Sequence, residues 1–257
     1  EEIIAEESPT IIALVETGLE QNEEIKFEGY SVIPKNKTDE GEGRGVLIAV
    51  KNELKHITTE VKQLEKPGEQ LWVRISNGRS NIRVGVVYAP QESKTNKSVL
   101  KKMYKQIEEQ IELGLTKRQQ IMAIGDFNCK VGTKIKGNKQ KVTKGGRLML
   151  ETIKKLDLQM LNASEKCKGL WTREEKGKRS VLDYVLMNKE AAESVGEMII
   201  DEEKIITPYT SMGEERIHTD HHTITFDIDW TTPCKKPAPT VTSKPKRTVE
   251  SWKMKTN

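Results

Sequence analysis

Cysteine is scarce in this 257-residue sequence: Cys129, Cys167 and Cys234 are the only three, an odd number with no metal-type spacing. That pattern excludes a disulfide-stapled fold and a cysteine-ligated metal centre, and it suits free thiols in a reducing, intracellular compartment. Long hydrophobic runs are missing too. No apolar stretch approaches the roughly 18 residues that a membrane helix needs. The opening segment, Glu1-Glu2-Ile3-Ile4-Ala5-Glu6-Glu7, is acidic where a signal or transit peptide is basic. There is no internal repeat. What remains is a composition of 35% hydrophobic and 32% charged residues, which fits one substantial globular α/β domain with no membrane partner.

The formal net charge is +4, but it is unevenly placed. Seven Lys/Arg and a single Glu lie from Thr231 onward, so the preceding body carries a slight acidic excess. Bulk charge therefore does not identify a nucleic-acid binder, and any binding face must be a local patch. Residues 231–257 read as a basic Pro/Lys-rich linker, with Pro233, Pro237, Pro239 and Pro245 among Thr, Ser and Lys. Residues 1–230 read as the folded domain. Trp252 is expected to lie near the start of a further unit.

Short apolar runs alternate with amphipathic stretches. Strands are predicted at Ile11–Val15, Val46–Val50, Leu71–Ile75, Asn81–Tyr88, Ile121–Ile124 and Thr223–Ile228. A helix-like stretch over residues 1–7 leads into the first of them. Helical spacing marks residues 96–116 and 145–156. Leu170–Thr172 and Ser180–Met187 are expected to form a hairpin whose tip is the charged loop Arg173–Arg179. Helices placed between strand groups argue for sheets covered by helices.

Polar residues then fall in a telling pattern. Glu16 directly follows the strand Ile11–Val15, and Tyr88 closes Asn81–Tyr88. Asp126 and Asn128 follow Ile121–Ile124 through Gly125. Asp183 lies inside an apolar run, and Asp220 and His221 precede the last strand. Singly, each has an ordinary reading: Asp126 and Asn128 as an Asx-turn, Glu16 as a solvent-facing strand end, Tyr88 as a half-buried aromatic. Together they converge on one sheet edge, where α/β proteins tend to place ligands. Hard oxygen ligands without a Cys/His cluster point to Mg²⁺ or Mn²⁺, an arrangement suited to phosphoryl chemistry.

Five blocks extend this set into a resemblance. Ile12-Ala13-Leu14-Val15-Glu16-Thr17, Val86-Val87-Tyr88-Ala89-Pro90, Ile124-Gly125-Asp126-Phe127-Asn128, Ser180-Val181-Leu182-Asp183-Tyr184-Val185-Leu186 and Thr219-Asp220-His221 occur in order. They resemble the "I-x-A-L-Q-E-T", "N-x-Y-A-P", "G-D-F-N", "S-x-I-D-Y-I-L" and "S-D-H" blocks of the endonuclease/exonuclease/phosphatase superfamily. Their style is most similar to the endonuclease domain of a non-LTR (LINE-type) retrotransposon, which precedes a reverse transcriptase and nicks target DNA.

The resemblance implies a four-layered α/β sandwich of two packed, mostly antiparallel sheets between helices. It implies Glu16 as principal Mg²⁺ ligand, with Asp220 as an acid near the metal. Asp126 would position or deprotonate the attacking water, and Asn128 would orient water and phosphate. His221 would contact the scissile phosphate and be oriented by Asp183, with Tyr88 as a phosphate-contacting phenol. Arg173, Lys176, Lys178 and Arg179 would lie against double-stranded DNA. The implied setting is nuclear, with a reverse transcriptase region downstream. The same blocks also serve abasic-site repair endonucleases and phosphoesterases of small phosphates or lipids.

One departure accompanies these matches. The superfamily's opening strand, in a block resembling "W-N-V-x-G-L" with its Asn, has no counterpart before the first helix. A missing core strand predicts an exposed sheet edge and reduced stability. It also admits the reading of a truncated remnant that at most binds DNA.

Overall fold

A computed structural model describes residues 4, 7–37, 43–60, 69–76, 80–93, 97–207, 209–212 and 215–229. The expected helix over residues 1–7 and the linker 231–257 lie essentially outside the described residues. Among those described, no helix is long and apolar enough to cross a membrane.

The strands are β1 (Ile11–Val15), β2 (Tyr30–Lys35), β3 (Val46–Lys51), β4 (Thr58–Glu60), β5 (Glu69–Ser76), β6 (Asn81–Tyr88), β7 (Gln120–Asp126), β8 (Gln159–Met160), β9 (Cys167–Lys168), β10 (Arg173–Glu175), β11 (Lys178–Ser180), β12 (Asp183–Met187), β13 (Val195–Ile200), β14 (Tyr209–Met212), β15 (Glu215–His218) and β16 (Ile224–Ile228). The helices are α1 (Lys97–Thr116), α2 (Lys144–Lys155) and the short α3 (Lys189–Glu193).

A six-stranded sheet of order β4-β5-β6-β7-β12-β8 forms the middle of the molecule. Both of its faces are covered, so its central strands are buried and mostly apolar rather than alternating with exposed polar residues; the buried Arg83 of β6 is satisfied by Gln119 and Gln110. Ile121 and Ala123 of β7, with Tyr184 and Leu186 of β12, pack against α1 and α2 on one face. Met122, Val185 and Met187 point the other way. There they meet a second layer made of two three-stranded sheets, β1-β3-β2 and β16-β13-β9. Helices, sheet and second sheet layer make an α/β sandwich, the fold class predicted from the sequence.

The helices α1 and α2 fall within two residues of their predicted spans. α1 buries Leu100, Met103, Ile107 and Ile111, a single stripe at helical spacing. It connects β6 to β7, which run parallel, as a crossover helix allows.

The hairpin differs from expectation. Leu170–Thr172 is not a strand, and the charged loop itself pairs as β10 and β11 around a Lys176–Gly177 turn with positive φ at both residues. Ser180 to Met187 is likewise broken at Val181 and Leu182. The break lets Leu182 accept a backbone hydrogen bond from Phe127 instead of continuing a ladder.

Several strands lie at sheet edges, β1 and β16 among them. Among the described residues β1 pairs only with β3, and β16 only with β13. The apolar β1 is correspondingly half-buried along its length, whereas Val46 to Val50 of β3 are fully buried.

Candidate active site

Strand register brings the acids together. Tyr88 stands beside Asp126 across the parallel β6–β7 pair, and Asp126 beside Asp183 across the antiparallel β7–β12 pair. One row across three adjacent strands thus ends in a phenol and two carboxylates.

Gly125 makes this row possible. It adopts φ 134°, and a Cβ there would lie 2.1 Å from the Val87 carbonyl oxygen. Only glycine allows that approach. The chain then turns: Asn128 takes the left-handed conformation at φ 44°. Its N–H donates to Asp126 Oδ1 at 2.7 Å, an Asx-turn. The Asn128 side-chain amide donates to the Ala89 carbonyl at 2.8 Å and so ties the loop after β7 to the loop after β6. The Asx-turn expected of Asp126 and Asn128 is present, and it leaves Asp126 Oδ2 facing His221.

Asp183 is held from behind by two residues that the sequence did not single out. Thr172, fully buried, accepts the N–H groups of Leu182 and Asp183 at 3.0 Å each through its hydroxyl. Its carbonyl accepts from His222 N–H at 2.8 Å. Asn162 donates to the Asp183 carbonyl at 3.1 Å and accepts from Val185 N–H at 3.0 Å. A polar Asn between Leu161 and Ala163 was the one available sequence signal; for Thr172 there was none.

His221 completes the cluster. Its Nδ1 lies 3.0 and 2.9 Å from the two Asp183 carboxylate oxygens, and its Nε2 lies 3.9 Å from Asp126 Oδ2. Asp126, Asp183 and His221 offer ligand atoms within 4.8 Å of one another. Burial pushes the Asp126 carboxyl up to about 7, and the neighbouring Asp183 charge adds to the effect. Burial opposes protonation of His221, but the hydrogen bond and charge of Asp183, then Asp126 and Asp220, outweigh it and lift the imidazole to about 9.

Glu16 sits on the rim at the end of β1, exposed, with φ 53°. Burial raises the Tyr88 phenol well above its ordinary value, and the hydrogen bond and charge of Glu16 raise it further. Arg44 acts the other way, so an arginine also stands near this rim. Glu69 fixes the loop carrying it by accepting the N–H groups of Arg44 and Gly45 at 2.7 and 2.9 Å.

Asp220 does not join the cluster of ligand atoms. Its carboxylate is taken by Arg173, at 2.8 Å from Nε and 2.6 Å from a terminal nitrogen. Arg173 also reaches Glu175, and Arg179 pairs with Glu174. Of the four cations predicted to face DNA, the structure engages these two with acids. Lys176 and Lys178 are exposed at the hairpin tip.

The donor set fits a divalent cation. Asp126 and Asp183 on the central sheet, with Glu16 at the end of β1 in the second sheet layer, bring more negative charge to this rim than the single His221 cation balances, and their oxygens are the hard ligands that Mg²⁺ and Mn²⁺ select.

No family model and no curated protein matches the sequence. Solved structures do. The endonuclease domain of TRAS1, a telomere-specific non-LTR retrotransposon, superposes with a TM-score of 0.60 at 17% identity over 89% of each chain. The 3′-5′ exonuclease NExo from Neisseria meningitidis gives 0.65 at 17% identity, over 89% of this chain and 93% of its own. The AP endonuclease LMAP from Leishmania major gives 0.67 at 14% identity, over 88% and 80%. The chain shares its fold with these nucleases and with an endonuclease/exonuclease/phosphatase family protein from Leptotrichia buccalis. At these identities the likeness concerns the fold, and chemistry must be argued from the site.

Proposed function

We propose that this chain is a divalent-metal-dependent phosphodiesterase that nicks double-stranded DNA. The observation that carries the reading is the Asp183–His221–Asp126 constellation: a histidine anchored at Nδ1 by one carboxylate, with Nε2 turned toward a second, buried one.

Each residue has work that its geometry suits. His221, charged at neutral pH, presents Nε2–H to a non-bridging phosphate oxygen and offsets the charge that grows as water attacks. Asp183 holds the imidazolium in one orientation and keeps it protonated. Asp126, with its proton affinity raised to about 7, accepts a proton from the attacking water. Asn128, locked by the Asx-turn and the Ala89 carbonyl, orients water and phosphate, and Tyr88 steadies a second phosphate oxygen. A divalent ion such as Mg²⁺, held by Glu16 with the adjoining carboxylates, would supply Lewis-acid neutralisation of the phosphate.

Within this chemistry, the style of the ordered sequence blocks favours target-site nicking in the nucleus over repair. Incubation of the protein with supercoiled plasmid tests the reading. Mg²⁺-dependent conversion to open circle is expected, abolished by chelation and reduced at least about 10²-fold by Asp126→Asn or His221→Ala. A preference for an abasic duplex over intact plasmid would transfer the assignment to the repair class. Nicking that is indifferent to both substitutions would remove it altogether.

A further inference from the structure

Outside this cluster, a second feature gathers charge on the same side of the central sheet. A groove of about 320 Å³ opens between the first turns of α1 and α2. Lys97, Lys101, Lys144 and Arg147 line it, together with Glu92 and Glu151. All four cations are exposed, and among the described residues none is paired with an acid. Of the other exposed lysines on these helices, Lys105 pairs with Glu109 and Lys155 with Glu108 and Glu112, while Lys102 and Lys154 stand, like the groove cations, without an acid partner among the described residues.

The placement is electrostatically costly as it stands. Lys97 and Lys144 are the first residues of their helices, and neither helix has an acid in its first turn. Cations there oppose the positive end of the helix dipole and one another. Glu92 relieves only part of this, since its Oε2 accepts the N–H groups of Lys144 and Gly145 at 2.8 and 3.2 Å.

The groove is one loop away from the candidate active site. Glu92 follows Tyr88 by four residues along the chain leaving β6. Thr143, which caps α2, accepts Lys130 N–H at 3.1 Å, two residues past Asn128.

We propose that this groove holds phosphates of the nucleic-acid backbone away from the scissile bond. Lys97, Lys101, Lys144 and Arg147 are its contacts. The proposal rests on the nuclease reading above and adds to it a positioning surface that carries no sequence information. A polyanion running from the catalytic edge over the N-terminal turns of both helices would neutralise the unpaired cations and turn an unfavourable arrangement into binding energy.

The test is binding of a duplex of about two helical turns, in two unrelated sequences, by fluorescence anisotropy over a range of salt with chelator present. The variant is Lys97→Gln/Lys101→Gln/Arg147→Gln. Its control, Lys117→Gln/Lys154→Gln/Lys105→Gln, removes equal charge from outside the groove, mostly at the far ends of the same helices. The groove variant should bind both duplexes about equally more weakly than the control. Its slope of log affinity against log salt should be shallower by roughly 1–2, at about 0.9 per lost phosphate contact. Equal slopes for variant and control overturn the groove. Plasmid nicking by the unsubstituted protein separates the two ideas: nicking together with equal slopes discards the groove alone, whereas neither nicking nor duplex binding discards both.

Discussion

His221 Nδ1 lies within hydrogen-bond distance of both oxygens of Asp183, at 3.0 and 2.9 Å, across 38 residues of sequence. This contact sets the protonation of the cluster. In the folded chain His221 is raised to about 9 and Asp126 to about 7. Both lie above their unfolded values of about 6.5 and 3.9. For a raised group, stabilisation is complete below the unfolded pKa and disappears as pH climbs through the folded one. The signs agree, so urea midpoints of the metal-free protein should fall between pH 6 and 9.5. Asp183→Asn should lower the imidazole titration, read by NMR of the His221 ring, and flatten the alkaline loss. An unchanged His221 titration in that variant would remove Asp183 from the role assigned to it.

Metal binding should reverse this trend. Carboxylates bind a cation only when ionised. Mg²⁺ or Mn²⁺ should therefore raise the melting temperature more at pH 8 than at pH 5, where Asp126 competes for protons. Glu16→Gln should reduce the effect without altering the metal-free melting temperature greatly, because Glu16 is an exposed strand end. A metal-induced shift of equal size at both pH values would place the ion elsewhere.

Thr172 tests whether the support behind the site matters as much as the site itself. Thr172→Val keeps the shape and deletes the acceptor for two buried N–H groups, those of Leu182 and Asp183. Each orphaned group costs about 1–3 kcal/mol. The expected result is a lower urea midpoint and weakened nicking, although the Thr172 hydroxyl accepts from backbone N–H groups rather than from the three clustered side chains. Thr172→Ser restores the hydroxyl and should recover most of both. Failure of serine to rescue would assign the loss to packing.

The sequence revealed those features whose causes are local. The strand Asn81–Tyr88 and the helices 97–116 and 144–155 have periodicity and boundary residues of their own. The row of Tyr88, Asp126 and Asp183 was visible as polar residues closing apolar runs or, for Asp183, lying inside one. Features that depend on distant pairing were not visible. Arg173 and Asp220 lie 47 residues apart, and neither residue's local sequence announces their ion pair. The hairpin was placed one strand too early because Leu170–Thr172 has strand-like composition. Thr172 instead spends its backbone and hydroxyl on three different segments. β2 and β13 escaped notice because Pro34 interrupts one and Gly196-Glu197 the other.

Gly125 offers a sharper test of backbone geometry at the same edge. Alanine there would have to keep φ near 134° and hold its Cβ 2.1 Å from the Val87 carbonyl oxygen. Strain of this kind costs about 1–3 kcal/mol even without a clash, so Gly125→Ala should destabilise by more than about 2 kcal/mol. Because Asp126 is the next residue, nicking should fall further than the loss of folded protein explains. A variant as stable as the parent would show that β7 can be rebuilt around a side chain.

His222 gives the opposite pH sign from its neighbour. It is 6% exposed, and neither ring nitrogen has a hydrogen-bond partner among the described residues. Burial, then the charge of Lys204, lowers its pKa, so the folded chain refuses a proton that the unfolded chain accepts. Stability associated with His222 is therefore lost as pH falls below about 6.5, the unfolded value. Exchanging a buried, unsatisfied imidazole for an apolar group of similar size is neutral or stabilising. His222→Leu should accordingly match or exceed the parent in urea midpoint at pH 7 and lose less between pH 7 and 5. A marked loss at pH 7 would mean that the ring nitrogens have partners, ordered water among them, and that this histidine is a satisfied part of the core beside His221.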